Sequence, residues 1–466
     1  MKLYNTKSQQ IEDFKPINDN KVLLYTCGPT VYNSPHVGNW VSFLRWDILV
    51  RTLMINNYTV TRVMNITDVG HLTSDKDEGE DKMQKGARRE GITAWDVAKK
   101  YTDEFMQGMH NLNCIMPTYI TNATDFIEEQ IKLVKVLQQK GYTYVIEDGV
   151  YFDTNKFNRY ADFAHLDLDA IKKGARVEYN QQKRNPSDFA LWKFSPKNQE
   201  RDMEWQSPWG VGFPGWHLEC SAMALAKLGP TIDIHTGGID HIQVHHTNEI
   251  AQSECANDAP FANYWLHNNH MLSNGTKISK SLNNGYTLND IYEKGYTAND
   301  FRMFLLQSHY RTESNFSWEN LQSAKNRLTN WANIACLKWQ VTDNNSCYAG
   351  QYSNAITKIT NALSNDLDTP TALVEAEKAL NYAEENGITT QTLDDFTKFL
   401  EHIQNAFGLK IECKDIANNQ KQILDKRSKA RANKNWQESD SLRNQLLEQG
   451  VEVKDTKFGQ IWSYIL

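Results

Sequence analysis

An apolar run from Lys21 to Tyr25 reads as a strand, Gly38 to about Ile55 follows with helical periodicity, and Thr59 to Met64 reads as a second strand. A helix between two such runs is a crossover, and crossovers join strands that lie parallel in one sheet. A parallel sheet takes its ligands at the C-terminal ends of its strands, so Cys27-Gly28-Pro29 and the helix start at Pro35 to Asn39 are expected beside a binding site. Along the helix, Val41, Leu44, Ile48 and Ile55 are expected to share one apolar face. The same rhythm resumes after Trp216, with a helix, a strand from Thr231 to His235, a helix through Ile250 and a strand near Tyr264 to His267.

Between the two stretches the pattern changes. Asp125 to Gln139 has helical periodicity, with Asp125 and Glu128 at capping spacing and Gly141 as a stop. Tyr142 to Phe152 reads as a hairpin turning at Asp148-Gly149. Residues 73–90 are highly charged and read as a surface excursion. After Trp318 the pattern is nearly all helical, broken by the Asn/Ser/Gly-rich run 343–354 and by a helix boundary at Asp366 to Pro370. Helices continue to Gly450, and two short strands, Val451 to Asp455 and Gln460 to Tyr464, close the chain. The expected architecture is α/β. A Rossmann-type parallel-sheet domain (1–115 and 201–268) carries an insertion (116–200). A linker domain (269–320), a helical bundle (321–410) and a small α+β C-terminal domain (411–466) follow.

Composition narrows the function classes. The chain has 466 residues, too many for one ordinary core. Its 40% hydrophobic and 11% aromatic content excludes a mainly disordered chain. No apolar run reaches the roughly 18 residues of a membrane-spanning helix. The first residues, MKLYNTKSQQIEDF, lack the apolar core of a signal peptide. A cytoplasmic protein is therefore expected, and its seven cysteines (27, 114, 220, 255, 336, 347 and 413) are expected to be free thiols or metal ligands. The net charge of −7 argues against general affinity for polyanions. Between Lys421 and Gln445, however, seven Lys/Arg face three Asp/Glu. Such a run is commonly just a solvated helix face.

Four groups of residues could carry chemistry. The helix start at His36-Val37-Gly38-Asn39 offers unpaired N–H groups and a partial positive charge to a phosphate. Taken alone it is also a capped turn. Lys277-Ile278-Ser279-Lys280-Ser281 could neutralise a triphosphate as charge moves onto the leaving group, and alone it is also a solvated loop. His245 and Glu249 are four apart on a predicted helix and so share a face, as paired metal ligands require, although most such pairs are surface contacts. Cys27 and Cys220 stand in segments expected near one crevice, yet spacing alone cannot bring them to that pair. His235-Thr236-Gly237-Gly238-Ile239-Asp240 follows a strand, and Asp240 could accept from a ribose hydroxyl.

With these residues in view, the chain resembles the cysteinyl-tRNA synthetases of class I over its whole length. Leu24 to Tyr32 is similar to the opening strand and turn of that family. His36 to Asn39 stands where its HIGH signature falls, and Lys277 to Ser281 is a KMSKS signature with Ile for Met. Asn65-Ile66-Thr67-Asp68, Gly174 to Val177, Lys183 to Pro186, Asp188-Phe189, Leu191 to Lys193, Pro214 to Met223 and Asn248 to Ser253 match as well. Asn39 replaces the second histidine of HIGH, Thr236 replaces a glycine, and Asn283-Asn284 replaces the customary Gly-Asn.

The resemblance implies ATP-dependent ligation of L-cysteine to tRNA(Cys) through a cysteinyl-adenylate. One zinc ion per chain is held by Cys27, Cys220, His245 and Glu249. Thr67 and Trp216 line the amino-acid pocket. His36, Lys277 and Lys280 act in catalysis, and ATP with Mg²⁺ meets His36, Gly38, Asn39, Asp240 and Lys280. Arg431, Trp436, Asp440 and Asp455 read the anticodon in the 411–466 domain, as stacking and base-edge contacts to single-stranded RNA require. The protein is expected to act as a monomer. Three rivals share parts of this pattern. A catalytically silent tRNA-binding or zinc-structural paralogue should have lost ligands or the loop lysines, and all are retained. A cysteine ligase acting on a small amine would lack the 411–466 tail, and a metallohydrolase built on His245, His246 and Glu249 would leave the lysine loop without a role.

Overall fold

Five strands pair in the order Ala262–Asn268, Ile232–Gly238, Lys21–Thr26, Thr59–Ile66 and Tyr119–Asn122, and every neighbouring pair is parallel. In chain order this is 5-4-1-2-3, the doubly wound arrangement. The direction of winding reverses between Lys21–Thr26 and Ile232–Gly238, which are in register from Leu24 opposite Ile234 to Thr26 opposite Thr236. The crevice beyond the C-terminal ends of these two strands is where such a sheet binds ligands. The computed structural model describes residues 1–71, 81–167, 180–196, 201–279, 282, 284–342, 350–411, 413–456 and 459–465.

The chain divides into two compact units, Met1–Glu293 with Tyr310–Asn315, and Lys294–His309 with Phe316–Leu466. In the first, Ile232–Gly238 is buried along its whole length, as a central parallel strand must be. Its one acid, Asp233, accepts hydrogen bonds from the N–H groups of Ile17 (2.5 Å) and Leu23 (2.7 Å), so its burial leaves no oxygen unpaired. The helix Val37–Ile55 departs from expectation. Besides Val41, Leu44 and Ile48 it buries Trp40, Phe43, Arg45, Trp46, Asp47, Leu49, Val50, Arg51, Thr52 and Leu53, and is covered on nearly every side. Within the helix Arg51 donates to Asp47 at 2.7 Å, and Arg45 donates to Ser314 outside it at 3.4 Å. Periodicity showed one stripe where packing encloses the whole helix.

The expected insertion begins inside the main sheet, because Tyr119–Asn122 is that sheet's edge strand. Beyond it, Thr143–Ile146, Gly149–Phe152, Phe189–Phe194 and Gly212–Pro214 form a four-stranded antiparallel sheet in that order. Phe152, Phe189, Leu191 and Trp192 share one apolar core with Leu133 and Leu137 of the helix Ile127–Gln139. Leu218, Ala222, Ala251 and Cys255 of the main domain join the same core, so this sheet braces the helices that carry the site. The helix Ile127–Gln139 starts after a 3₁₀ turn, Ala123–Phe126, that contains Asp125; Phe126 is its N-cap and no side chain caps it. In the charged segment, Lys82–Glu90 is a helix capped by Asp81, whose carboxylate accepts from the N–H groups of Met83 and Gln84.

In the second unit, the helices Trp318–Ala335, Gln351–Leu363, Thr369–Asn386 and Leu393–Phe407 precede a helix pair, Asn418–Ala432 and Trp436–Glu448, and the hairpin Val451–Thr456 with Gly459–Tyr464. The expectation that all cysteines are free thiols or ligands is corrected here. Cys336 and Cys413 form a disulfide inside the core of this module, while Cys27, Cys114, Cys220 and Cys255 are free and buried. The two partners are 77 residues apart, and no spacing rule joins them at that distance. Cys347 lies outside the described residues. Among the described residues, no helix is long and apolar enough to cross a membrane.

Candidate metal centre and active site

Four elements deliver one cluster. The strand Lys21–Thr26 ends at Cys27, and the Cys27 N–H bonds the Thr236 carbonyl at 3.2 Å, which fixes the turn across the switch point. Cys220 lies in the second turn of the helix Trp216–Leu228. His245 sits in the π-helical turn Ile242–His246, which runs directly into the helix Thr247–Asn257 bearing Glu249. One donor atom from each of Cys27, Cys220, His245 and Glu249 lies within 4.8 Å of the others, and all four residues are buried. Cys220 Sγ is 3.6 Å from His245 Nε2, and His245 Nε2 is 3.0 Å from Glu249 Oε1. Despite that approach, Glu249 Oε1 is a buried oxygen with no hydrogen-bond partner. Two sulfurs, an imidazole nitrogen and an unpartnered carboxylate oxygen converging in one buried space are what a common cation would satisfy. Two sulfurs, an imidazole and a carboxylate are a zinc donor set.

A shell of histidines surrounds these donors. His217 Nδ1 meets His245 Nδ1 at 2.8 Å, so Nε2 of His245 is the nitrogen turned to the cluster. His235 Nε2 lies 2.8 Å from Glu249 Oε2 and holds the carboxylate in place. His246 Nε2 is 3.3 Å from Cys27 Sγ, its Nδ1 is 2.8 Å from His267 Nε2, and His267 Nδ1 is 2.7 Å from Thr6 Oγ1. Cys27, His235, His246 and Glu249 form a second set of potential ligands that shares two members with the first. The charges are strongly biased. Burial pushes the Cys27 thiol well above its ordinary range, and Cys220 and Glu249 add to the shift. The hydrogen bond with Cys27 brings Cys220 down to about 7 against the effect of burial. Burial opposes ionisation of Glu249 and of His245, yet attraction from His235 and then His245 brings Glu249 to about 2, and attraction from Glu249 with the Cys220 hydrogen bond brings His245 to about 10.

Thr67 and Trp216 stand next to this cluster. The Trp216 ring lies 4.9 Å from that of His245, with Lys82 Nζ 4.6 Å from its centroid. Thr67 follows the strand Thr59–Ile66. Its hydroxyl donates to Glu219 Oε2 at 2.9 Å and accepts from Asn65 Nδ2 at 3.1 Å. Glu219 is fully buried, touches His71 Nε2 closely through Oε1, and is pushed up to about 8 by that burial. The sequence reading gave Glu219 and His71 no role, and of the histidine shell it singled out only His235, in the Gly-rich turn, and His246, in the rival metallohydrolase. One signal was present, since six of thirteen histidines fall between His217 and His267.

The phosphate-binding candidates also meet. His36 caps the helix Val37–Ile55 by accepting from the Asn39 N–H at 3.2 Å, and Asn39 Oδ1 accepts from the His36 N–H at 3.0 Å. Asn39, which departs from the family signature, therefore closes a capping box. With Nδ1 used as an acceptor, a neutral His36 carries its proton on Nε2 and can donate it. The chain leaving the lysine loop returns here, because the Val37 N–H bonds Tyr286 O at 2.7 Å and His36 pairs with Thr287. A Cβ at Gly38 would sit 2.9 Å from Ile278 Cδ1 and 3.0 Å from the His36 ring, so the absence of a side chain here eases the close approach of the loop. Asn284 secures the base of the loop by accepting from the Ser279 N–H at 2.9 Å. Lys277 is exposed; Lys280 and Ser281, like Gly174 to Val177 and Asn283, lie outside the described residues. Asp240 is exposed beyond the end of Ile232–Gly238, at the switch point.

In the second unit, Asp455 pairs bidentately with the buried Arg427 (2.9 and 2.8 Å) and with Arg431 at 3.0 Å. The Arg431 guanidinium lies 5.4 Å from the centroid of Trp436, which is 55% exposed. Asp440 is exposed one turn beyond Trp436 on the same helix.

Comparisons with known proteins agree over both units. Residues 13–326 match the catalytic domain of the class I (C) tRNA synthetases, and residues 414–462 match the cysteinyl-tRNA ligase anticodon-binding domain. The cysteine–tRNA ligase 1 of Burkholderia lata is 40% identical over 98% of this chain and 96% of its own length. The cysteine–tRNA ligase of Treponema denticola is 39% identical over 99% of each. Among solved structures, a Mycobacterium tuberculosis methionyl-tRNA synthetase with methionyl-adenylate superposes with a TM-score of 0.61 at 14% identity, over 83% of this chain and 92% of that one. An Agrobacterium radiobacter LeuRS in complex with tRNA gives 0.62 at 12% identity, over 85% of each. At such low identity, both structures speak to the fold alone.

Proposed function

Because this chain belongs to the cysteine–tRNA ligase family of class I synthetases, we propose that it selects its amino acid with a zinc ion held by Cys27, Cys220, His245 and Glu249. As a cysteine–tRNA ligase it attaches cysteine to tRNA(Cys) with ATP. Cysteine and serine differ by one atom, and shape alone separates such substrates by roughly 10- to 200-fold. Discrimination of about 10⁴ needs roughly 5.5 kcal/mol, more than a pocket wall supplies. When bound, zinc supplies an open position that prefers a thiolate sulfur to an oxygen ligand. The observation that carries this reading is the convergence of two sulfurs, one imidazole and the unpartnered Oε1 of Glu249 in a buried cluster beside Trp216.

The remaining roles are those that membership of the family suggests for residues matching its motifs. The cysteine carboxylate attacks the α-phosphorus of ATP, forming cysteinyl-adenylate and releasing pyrophosphate, and a ribose hydroxyl of the terminal tRNA adenosine then takes the cysteinyl group. His36 donates from Nε2 to a phosphate oxygen at the helix N-terminus, Gly38 gives the nucleotide access to the backbone, and Asp240 accepts from the ribose. Asn39 serves by holding His36 rather than by touching ATP through a charge. Lys277 and Lys280 neutralise the pyrophosphate that leaves with Mg²⁺. Thr67 and Trp216 bound the amino-acid pocket, and Arg431, Trp436, Asp440 and Asp455 bind the anticodon. One chain in the cytoplasm suffices for the reaction. Pyrophosphate exchange into ATP tests the reading. Exchange should depend on cysteine and on retained zinc and be nearly absent with serine; equal rates with the two amino acids would refute selection by zinc.

A further inference from the structure

We propose that Glu219 is a positioning residue of the amino-acid pocket, setting the Thr67 hydroxyl as a hydrogen-bond acceptor for the α-ammonium group of cysteine. The inference rests on the reading that Thr67 lines that pocket. Glu219 belongs to neither ligand set of the metal cluster, and so far it has no role. The direction of the bond between Thr67 and Glu219 follows from one group that can only donate, the backbone N–H of Gly28. That N–H bonds Asn65 Oδ1 at 2.8 Å, which fixes the orientation of the Asn65 amide. Asn65 Nδ2 must then donate to Thr67 Oγ1 at 3.1 Å. The Thr67 hydroxyl in turn gives its only proton to Glu219 Oε2 at 2.9 Å.

A hydroxyl has one proton and two lone pairs. On Thr67 the proton and one lone pair are committed, and the lone pair left over can only accept. A substrate carboxylate has no proton to give it, whereas an ammonium group has three. His71 reaches the other oxygen, Oε1, so a proton shared there leaves Oε2 an acceptor in either case. The chain of bonds starts beside Cys27 and ends beside Cys220. The amine subsite is therefore registered to the two sulfur ligands of the proposed zinc. Gly28 itself is obligatory, since a Cβ there would overlap the Asn65 carbonyl.

Two fragments of cysteine separate this idea from general damage to the pocket. Cysteamine keeps the thiol and the ammonium but lacks the carboxylate; 3-mercaptopropionate keeps the thiol and the carboxylate but lacks the ammonium. Each is used as a competitive inhibitor of cysteine-dependent pyrophosphate exchange by the full-length enzyme. In Glu219→Gln the amide can donate to Thr67 and turn the hydroxyl proton toward the substrate. Loss of a charge-assisted bond then raises KM for cysteine and Ki for cysteamine about tenfold or more, with kcat changed far less. The Ki of 3-mercaptopropionate and the zinc content stay at their wild-type values. Thr67→Val, which leaves Glu219 intact, shows the same selective loss, and Thr67→Ser restores cysteamine binding; equal effects of Thr67→Val on both fragments overturn the proposal even where Glu219→Gln misfolds or loses zinc. Equal weakening of both fragments, or of neither, overturns the proposal. Absence of any cysteine-dependent exchange in the wild type would instead sink the assigned function.

Discussion

Glu249 Oε1 sits 3.0 Å from His245 Nε2 without making a hydrogen bond, and Cys27 and Cys220 close the same space. Burial raises the Cys27 thiol, while the hydrogen bond with Cys27 brings Cys220 down to about 7, so the two sulfurs are held as an interacting pair. Removing one sulfur should therefore abolish metal binding rather than weaken it. Cys220→Ala is expected to lose stoichiometric zinc by elemental analysis, and full retention would show the ligand set to be wrong. A second residue-scale prediction concerns Asp455, whose carboxyl is held below its ordinary range by the hydrogen bonds from Arg427, with Arg431 adding attraction. A depressed folded-state value contributes stability that is fully present above the unfolded value near 3.9 and is lost as pH falls through the folded one. Asp455→Asn should cost about 1–3 kcal/mol at neutral pH by leaving buried Arg427 donors unpaired. The unfolding curves of variant and wild type should approach each other as the solution is acidified below pH 4.

At the scale of elements, the strands and helices around the crevice were readable because local burial patterns repeat with the period of the element. Lys21–Thr26, Thr59–Ile66, Trp216–Leu228 and Val451–Thr456 fall within a few residues of their expected positions. Two readings failed where a neighbour supplied what the local pattern did not contain. The helix Val37–Ile55 looked one-sided but is enclosed, and Tyr119–Asn122 looked like insertion but completes the main sheet. The disulfide is a third case, with partners on opposite sides of three helices. Closing a loop of that length removes unfolded-state entropy equivalent to about 4 kcal/mol in the chain-entropy treatment. Cys413→Ser, or reduction with dithiothreitol, should lower the unfolding midpoint of the second unit in a thermal melt. The transition of the first unit should stay where it was.

For the whole molecule, the chemistry of activation and the recognition of tRNA are assigned to different units. The proposed zinc ligands, His36 and Lys277 lie in the first, while Arg431, Trp436, Asp440 and Asp455 lie in the second. Trp436 is mostly exposed, and stacking of a base on such a ring is worth about 1–3 kcal/mol. Trp436→Ala should therefore raise KM for tRNA in the charging assay by about 5- to 150-fold while leaving cysteine-dependent pyrophosphate exchange intact. A parallel fall in both activities would mean that the C-terminal module does not act as a separate reader.

The amino-acid order alone determined the crossover connection, the turn after the first strand, the histidine–glycine helix start, and the i,i+4 pairing of His245 with Glu249. Each depends on residues close in sequence, where backbone geometry leaves few choices. Only the tertiary structure decided that Cys27 and Cys220 meet that pair, that Ile278 lies against Gly38, and that Glu219 orients Thr67. Those contacts depend on how strands and helices hundreds of residues apart pack against one another, and hydrophobic periodicity records which face is buried but not what lies on the other side.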